Sequence, residues 1–176
     1  MLAVVDTETT GLSTAKGARI LQVALVRIAP GSQVGSVVDG TAFVSYVCPD
    51  GWDENNVPPS YGYAEKVHGI EAVRVKSFPD EATVRAQIEA WCQKNQITHF
   101  SAYNVAFDRE FMQFHRFVPA GITWAECLMQ VAKTKHGAKG SLSAMCARSG
   151  VEFSASMAHS ALYDALKAAE LATRLI

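Results

Sequence analysis

The order in which the hydrophobic period changes along the chain constrains its fold most. Three β-like runs come first. Residues 2–8 are short, apolar and rich in Val, residues 20–28 follow a turn-like segment around 11–17, and residues 41–48 follow Gly35 and Gly40. Short connections between them predict antiparallel neighbours. Helical patterns then take over. Asp80 is placed to cap a helix whose apolar face carries Val84, Ile88, Trp91 and Cys92. Residues 97–103 read as a fourth strand, and Asn104 is a candidate cap for the next helix, where Phe107, Phe111, Phe114 and Val118 recur at helical spacing. Further helices are expected over 124–135, over 142–148 with a stop at Gly150, and from about Ser160 to the end, with Leu162, Ala165, Leu166, Ala169 and Leu175 inward. Strands first and helices later predict an α/β fold, a mixed central β-sheet flanked by α-helices.

At 176 residues the chain suits one domain spanning 1–176. The stretch 49–60 holds Gly51, Asn55, Asn56, Pro58 and Pro59, and it reads as a loop because neither side is long enough to stand alone. A composition 49% hydrophobic and 19% charged excludes disorder. The net charge of −1 excludes a uniformly basic protein that holds nucleic acid by charge alone. No secretory signal is expected, since Asp6 interrupts the apolar start, and no run approaches the roughly 20 apolar residues of a membrane helix. Cys48, Cys92, Cys127 and Cys146 lie far apart without a CxxC pair, so they read as reduced cysteines of a cytoplasmic protein.

Three groups of residues carry chemistry. Asp6 and Glu8 are two apart on the first strand, so both carboxylates point the same way. Two like charges on an apolar strand are costly unless a cation neutralises them; the alternative is a pair of solvated acids at a strand end. Asp108 starts a helix, either as a functional acid or as a complement to the helix dipole. His159 and Asp164 would lie about 140° apart on one continuous helix. His159 therefore belongs in the loop before the helix, either swung over a metal held by Asp164 or incidental at the surface.

Taken in order, Asp6-Thr7-Glu8-Thr9-Thr10-Gly11-Leu12, Asn104-Val105-Ala106-Phe107-Asp108 and His159-Ser160-Ala161-Leu162-Tyr163-Asp164 resemble the three motifs of the DnaQ-like (DEDDh) 3′–5′ exonucleases. Val67-His68-Gly69-Ile70 resembles a His-Gly-Ile segment of the same family. The resemblance implies a ribonuclease H-like fold. It also implies two divalent cations, Mg²⁺ or Mn²⁺, held by Asp6, Glu8, Asp108 and Asp164, with His159 as general base; all-oxygen ligation suits those ions. It assigns Thr7, Thr9, Leu12, His68, Asn104 and Phe107 to the terminal nucleotide, with Phe107 equally readable as core and His68 as a surface turn. The expected substrate is a single-stranded nucleic-acid 3′ end, DNA favoured over RNA, with a DNA polymerase or a second copy as protein partner and no membrane. The competing readings are a catalytically silent binding module and a metal-dependent small phosphoesterase.

The sequence departs from the family in four places. Tyr103 stands where many relatives have His, and Gln22 where many have an acid. Residues 124–135 match loosely, and 31–40 carry no assignable pattern. No extended tail is expected after the last helix. With four carboxylates assigned to metals, the net charge of −1 becomes +3 for the remainder. Residues 127–151 hold Lys133, Lys135, Lys139 and Arg148 and no carboxylate, so 133–139 reads either as a phosphate track or as a solvated loop.

Overall fold

The computed structural model describes residues 1–29 and 41–175; the stretch 31–40 lies outside the described residues. Strands β1 (Leu2–Thr9), β2 (Ile20–Ile28) and β3 (Ala42–Tyr46) form an antiparallel meander. On the other side of β1, β4 (His99–Ala102) and β5 (Thr123–Trp124) are added in parallel, giving the order β3-β2-β1-β4-β5. The sheet is therefore mixed, as expected. Helices α1 (Tyr61–His68), α2 (Ala72–Val75) and α3 (Glu81–Lys94) precede β4, and α4 (Val105–Phe114) follows it. The chain closes with α5 (Leu128–His136), α6 (Leu142–Arg148) and α7 (Ala161–Leu175).

Alternation along β1 sends its side chains into two cores. Ala3 and Val5 pack with Val23 and Leu25 of β2 and with Ile88, Phe100, Phe111 and Met112 from α3, β4 and α4. Val4 packs on the opposite face with Ala24, Val26 and the alanines of α7. Ala161, Ala165, Ala168, Ala169 and Ala172 are buried there, and such small side chains let α7 lie close against β1 and β2.

Several local expectations hold. Asp80 caps α3, its Oδ1 accepting from the Thr83 N–H at 2.7 Å. The helix over 142–148 forms as α6. All four cysteines are free thiols.

Other expectations are corrected. Trp124 sits in β5 rather than in a helix, because its ring packs edge-on against Phe100 at 5.6 Å, and α5 starts only at Leu128. Phe114 is half exposed beneath the Arg19 guanidinium (4.4 Å), and Phe117, just beyond the end of α4, takes the inward place. Asn104 precedes α4 without a side-chain capping bond. Helix α1 was not expected, since only Tyr61 of its residues is buried and no apolar period marks it.

Candidate active site

The strand alternation that fills the cores also builds the site. Asp6 and Glu8 continue the Val4 face of β1, toward α7, while Thr7 between them faces α4. Glu8 is paired across the strands with Gln22, and the β1–β2 register shifts just beyond, between Glu8 and Thr9. Buried Gln22 turns its Oε1 to the Ala161 N–H at 3.0 Å. That bond satisfies one of the unpaired donors at the start of α7 and fixes the first turn of the helix against β2. Asp164 lies on that first turn.

Asp164 uses its two oxygens differently. Oδ2 accepts the backbone N–H of His159 at 2.9 Å, while Oδ1 is shut off from solvent and has no hydrogen-bond partner. One oxygen each from Asp6, Glu8 and Asp164 lie within 4.8 Å of one another. A buried carboxylate oxygen without a donor, on a residue grouped with two other acids, fits a cation better than it fits a satisfied core.

Asp108 arrives from the other face of the sheet. It sits on the first turn of α4, buried, and accepts the Thr7 hydroxyl at 3.0 Å. It is thus tethered beside the three-acid group rather than within it. Asp6, Thr7, Asp108, His159 and Asp164 all line one cavity of about 460 Å³, at the C-terminal end of β1.

The electrostatics report four acids crowded without a counter-charge. Burial pushes Glu8 up to about 8, helped by the charges of Asp164 and Asp108. Burial raises Asp108 to about 7, against the Thr7 hydrogen bond that lowers it. Asp6 is raised well above the usual carboxylate range by burial and then by Asp108, Glu8 and Asp164. Asp164 is raised by burial, opposed by its bond to His159. Asp6, Glu8 and Asp164, with Asp108 beside them, could hold a divalent cation, whose charge would relieve this crowding.

His159 lies in the loop before α7, as expected, with φ of 65° in the left-handed region. Such a backbone is uncommon for a residue with a Cβ, and here the Asp164 carboxylate holds its N–H. His68 ends α1; its Nδ1 accepts from the Ile70 N–H at 3.0 Å, while its Nε2 is buried without a partner. Burial lowers the His68 pKa, and the Thr9 backbone opposes that shift. The Thr9 hydroxyl donates to the Gly11 carbonyl at 2.6 Å. Ser60 closes on this turn, its Oγ 2.8 Å from the Thr10 carbonyl; a Cβ at Gly11 would stand only 2.3 Å from that Oγ, so the turn needs glycine. Leu12 projects from it, 85% exposed. Asn104 and Phe107 line the cavity, and Phe107 also packs against the core beneath α4.

The lysine track does not extend to the cavity. Among the described residues no Lys or Arg lines it. The Lys135 ammonium instead donates to the carbonyls of Arg174 and Leu175, at 2.5 and 3.3 Å. With about 1.5 Å of rise per residue, that places the Lys135 ammonium about 15 Å along α7 from Asp164. Lining residues not picked out from the sequence are Tyr103, Ser141, Leu142, Ser143, Phe153, Ala155 and Ala158. Of these only Tyr103 stood out, as a departure from the family pattern.

A mixed sheet whose first strand ends on clustered carboxylates, beside acids from two flanking helices, is the architecture of the ribonuclease H-like nucleases. The family profile described as Exonuclease (RNase T) matches residues 3–172, and the chain belongs to this exonuclease family. It is 28% identical over 177 residues to "DNA polymerase III subunit epsilon" of Escherichia coli (strain K12), covering 96% of this chain and 68% of that protein. The same identity and coverage of this chain are found with the Rickettsia typhi protein of that name, of which 70% is covered. Among solved structures, that of cell-death related nuclease 4 aligns with a TM-score of 0.74 at 17% identity, over 98% of this chain and 62% of the other. A 3′-exonuclease solved for "3'-end specific recognition of histone mRNA stem-loop" aligns with a TM-score of 0.72 at 15% identity, again over 98% and 62%. The chain thus spans about three-fifths of the solved chains that it matches, and they show its fold. No helix among the described residues is long and apolar enough to cross a membrane.

Proposed function

We propose that the chain is a 3′–5′ exonuclease that hydrolyses phosphodiester bonds at single-stranded 3′ ends and releases 5′-mononucleotides. The observation that carries this is the grouping of Asp6, Glu8 and Asp164 carboxylate oxygens within 4.8 Å of one another, beside a cavity that Asp6, Asp164 and His159 line. Two divalent cations, Mg²⁺ or Mn²⁺, held by Asp6, Glu8, Asp108 and Asp164, would supply Lewis-acid activation of the water and the phosphate. His159 takes the proton of the attacking water, with its backbone fixed by Asp164 and its side chain exposed in the loop. Thr7 orients Asp108 through its hydroxyl while the backbone of 7–9 faces the terminal nucleotide. Exposed Leu12 wedges against the terminal base, His68 approaches the sugar, Asn104 and Phe107 line the pocket, and Thr9 completes the nucleotide contacts from the end of β1.

The whole of 1–176 serves this activity as one domain. The relatives named as polymerase III epsilon subunits support DNA over RNA, a DNA polymerase or a second copy as partner, and a cytoplasmic location. A 5′-labelled single strand tests the reading. Progressive shortening with Mg²⁺ that EDTA abolishes is expected. Binding without shortening would make the chain a silent module, and cleavage of a chromogenic monoester alone would make it a small phosphoesterase.

A further inference from the structure

The cavity extends well beyond the carboxylates. Its outer wall is made of Ser141, Leu142 and Ser143 on one side and Phe153, Ala155 and Ala158 on the other. Both stretches begin in irregular chain, after α5 and after α6, where no sheet ladder fixes the backbone. Each is instead tied down by a phenol. The Tyr103 hydroxyl donates to the Gly140 carbonyl at 2.5 Å. The Ser154 N–H donates to the Tyr163 hydroxyl at 2.6 Å, and the Tyr163 ring meets Phe153 edge-on at 5.4 Å.

The two tyrosines grow from the elements that carry the acids. Tyr103 directly follows β4 and stands five residues before Asp108; Tyr163 immediately precedes Asp164 on α7. Tyr103 packs partly buried between two cores, and its own carbonyl accepts the Met129 N–H at 2.9 Å, so its base is fixed. Gly140 itself lies against α6, where an added Cβ would meet Met145 Cε at 2.5 Å and Ala144 Cβ at 3.3 Å. Beyond Gly140, the Ser141 Oγ accepts from the Ala144 N–H and sits 2.9 Å from the Ser143 Oγ, so the serine edge is one hydrogen-bonded cap on α6 that begins at the residue after the peg.

We propose that Tyr103 and Tyr163 are positioning residues, two phenol pegs that hold the outer wall of the cavity in register with the acids and so set the fit of the nucleotide beyond the scissile bond. This rests on the exonuclease reading for the identity of the occupant, and on the two backbone bonds for the device. The wall touches the substrate away from the reacting phosphorus, where contacts serve ground state and transition state alike. Loss of a peg therefore acts on KM.

Tyr103→Phe and Tyr163→Phe each remove one hydroxyl and keep the ring. With a 5′-labelled single strand and Mg²⁺, each is expected to raise KM about fivefold, the net worth of one hydrogen bond, while kcat falls less than threefold. In a parallel amide-exchange experiment on the unliganded protein, residues 141–144 exchange about tenfold faster in Tyr103→Phe, and 154–158 in Tyr163→Phe. Unchanged exchange in those segments overturns the pegs. Faster exchange with unchanged KM, or a loss confined to kcat, overturns their role toward the substrate. A wild-type protein that shortens no strand defeats the exonuclease reading, while the exchange measurements still decide the pegs.

Discussion

Replacing Glu8 by Gln should abolish activity and yet stabilise the metal-free protein, by an amount that grows with pH. Glu8 is buried on β1, among Asp6, Asp108 and Asp164, and its carboxyl is moved from an ordinary 4.5 up to about 8. The folded protein therefore holds this proton more tightly than the unfolded chain. Between pH 4.5 and 8 the folded state binds more protons, so stability falls as pH rises through that window. Linkage puts the cost of ionising this one group at about 2 kcal/mol at pH 6 and about 4 kcal/mol at pH 8, and near zero below pH 4. A neutral Gln of the same shape escapes that cost.

For a chain of this length, 1 kcal/mol moves Tm by about 2–4 °C. In EDTA at pH 8, Glu8→Gln should therefore melt about 10 °C above wild type, and at pH 5 within about 2 °C of it. Adding Mn²⁺ should raise the wild-type Tm at pH 8 and narrow the gap, since only the wild type offers the full set of carboxylates. Thermal melts followed by circular dichroism at pH 5, 6, 7 and 8, with and without the ion, decide this. A variant that melts at or below wild type at pH 8 in EDTA, or a gap that does not vary with pH, refutes the account of a crowded, uncompensated acid cluster.

Asp164→Asn and His159→Ala should each cost about 10²-fold or more in shortening of a labelled strand while keeping wild-type circular dichroism; wild-type turnover in either at neutral pH means the residues are misassigned. Lys135→Met should lower Tm by about 2–4 °C, because the last carbonyls of α7 lose their cation, and leave KM unchanged. A raised KM with an unchanged Tm would return this lysine to the strand path. Gln22→Leu leaves the buried Ala161 N–H without an acceptor, a loss of about 1–3 kcal/mol, and should also weaken the Mn²⁺-induced rise in Tm, because α7 carries Asp164. A Tm drop with no change in the Mn²⁺ response would limit Gln22 to a structural role.

The parts of the fold that were legible are those in which one residue's chemistry suffices. The Asp80 cap, the alternation of 2–8 and the stop after Arg148 are local. Alternation also foretold that Asp6 and Glu8 share a face, and helix geometry that His159 leaves the helix. What the sequence withheld depends on contacts between distant segments. Trp124 looks helical until Phe100 is placed beside it. Gln22 looked like a departure from the family until Ala161, 139 residues away, supplied its donor. Tyr103 and Tyr163 carry no local signal, because the carbonyl and the amide that they hold belong to loops.

The net charge of −1 takes on a sharper meaning beside the acid cluster. A strand brings one phosphate charge per nucleotide, and a binding cleft ordinarily meets it with Lys and Arg. Here the lining residues include three aspartates and no Lys or Arg, and the nearest lysine-rich segment spends Lys135 on the end of α7. Without bound cations the cavity repels a phosphate; with them the same carboxylates become the means of attracting one. On the proposed reading, affinity at this cavity would be carried by metal and by apolar contact with Tyr103, Phe107, Leu142 and Phe153 rather than by counterion release. On the proposed reading the acids would serve two ends: they would place the ions for hydrolysis, and they would make strand binding conditional on those ions.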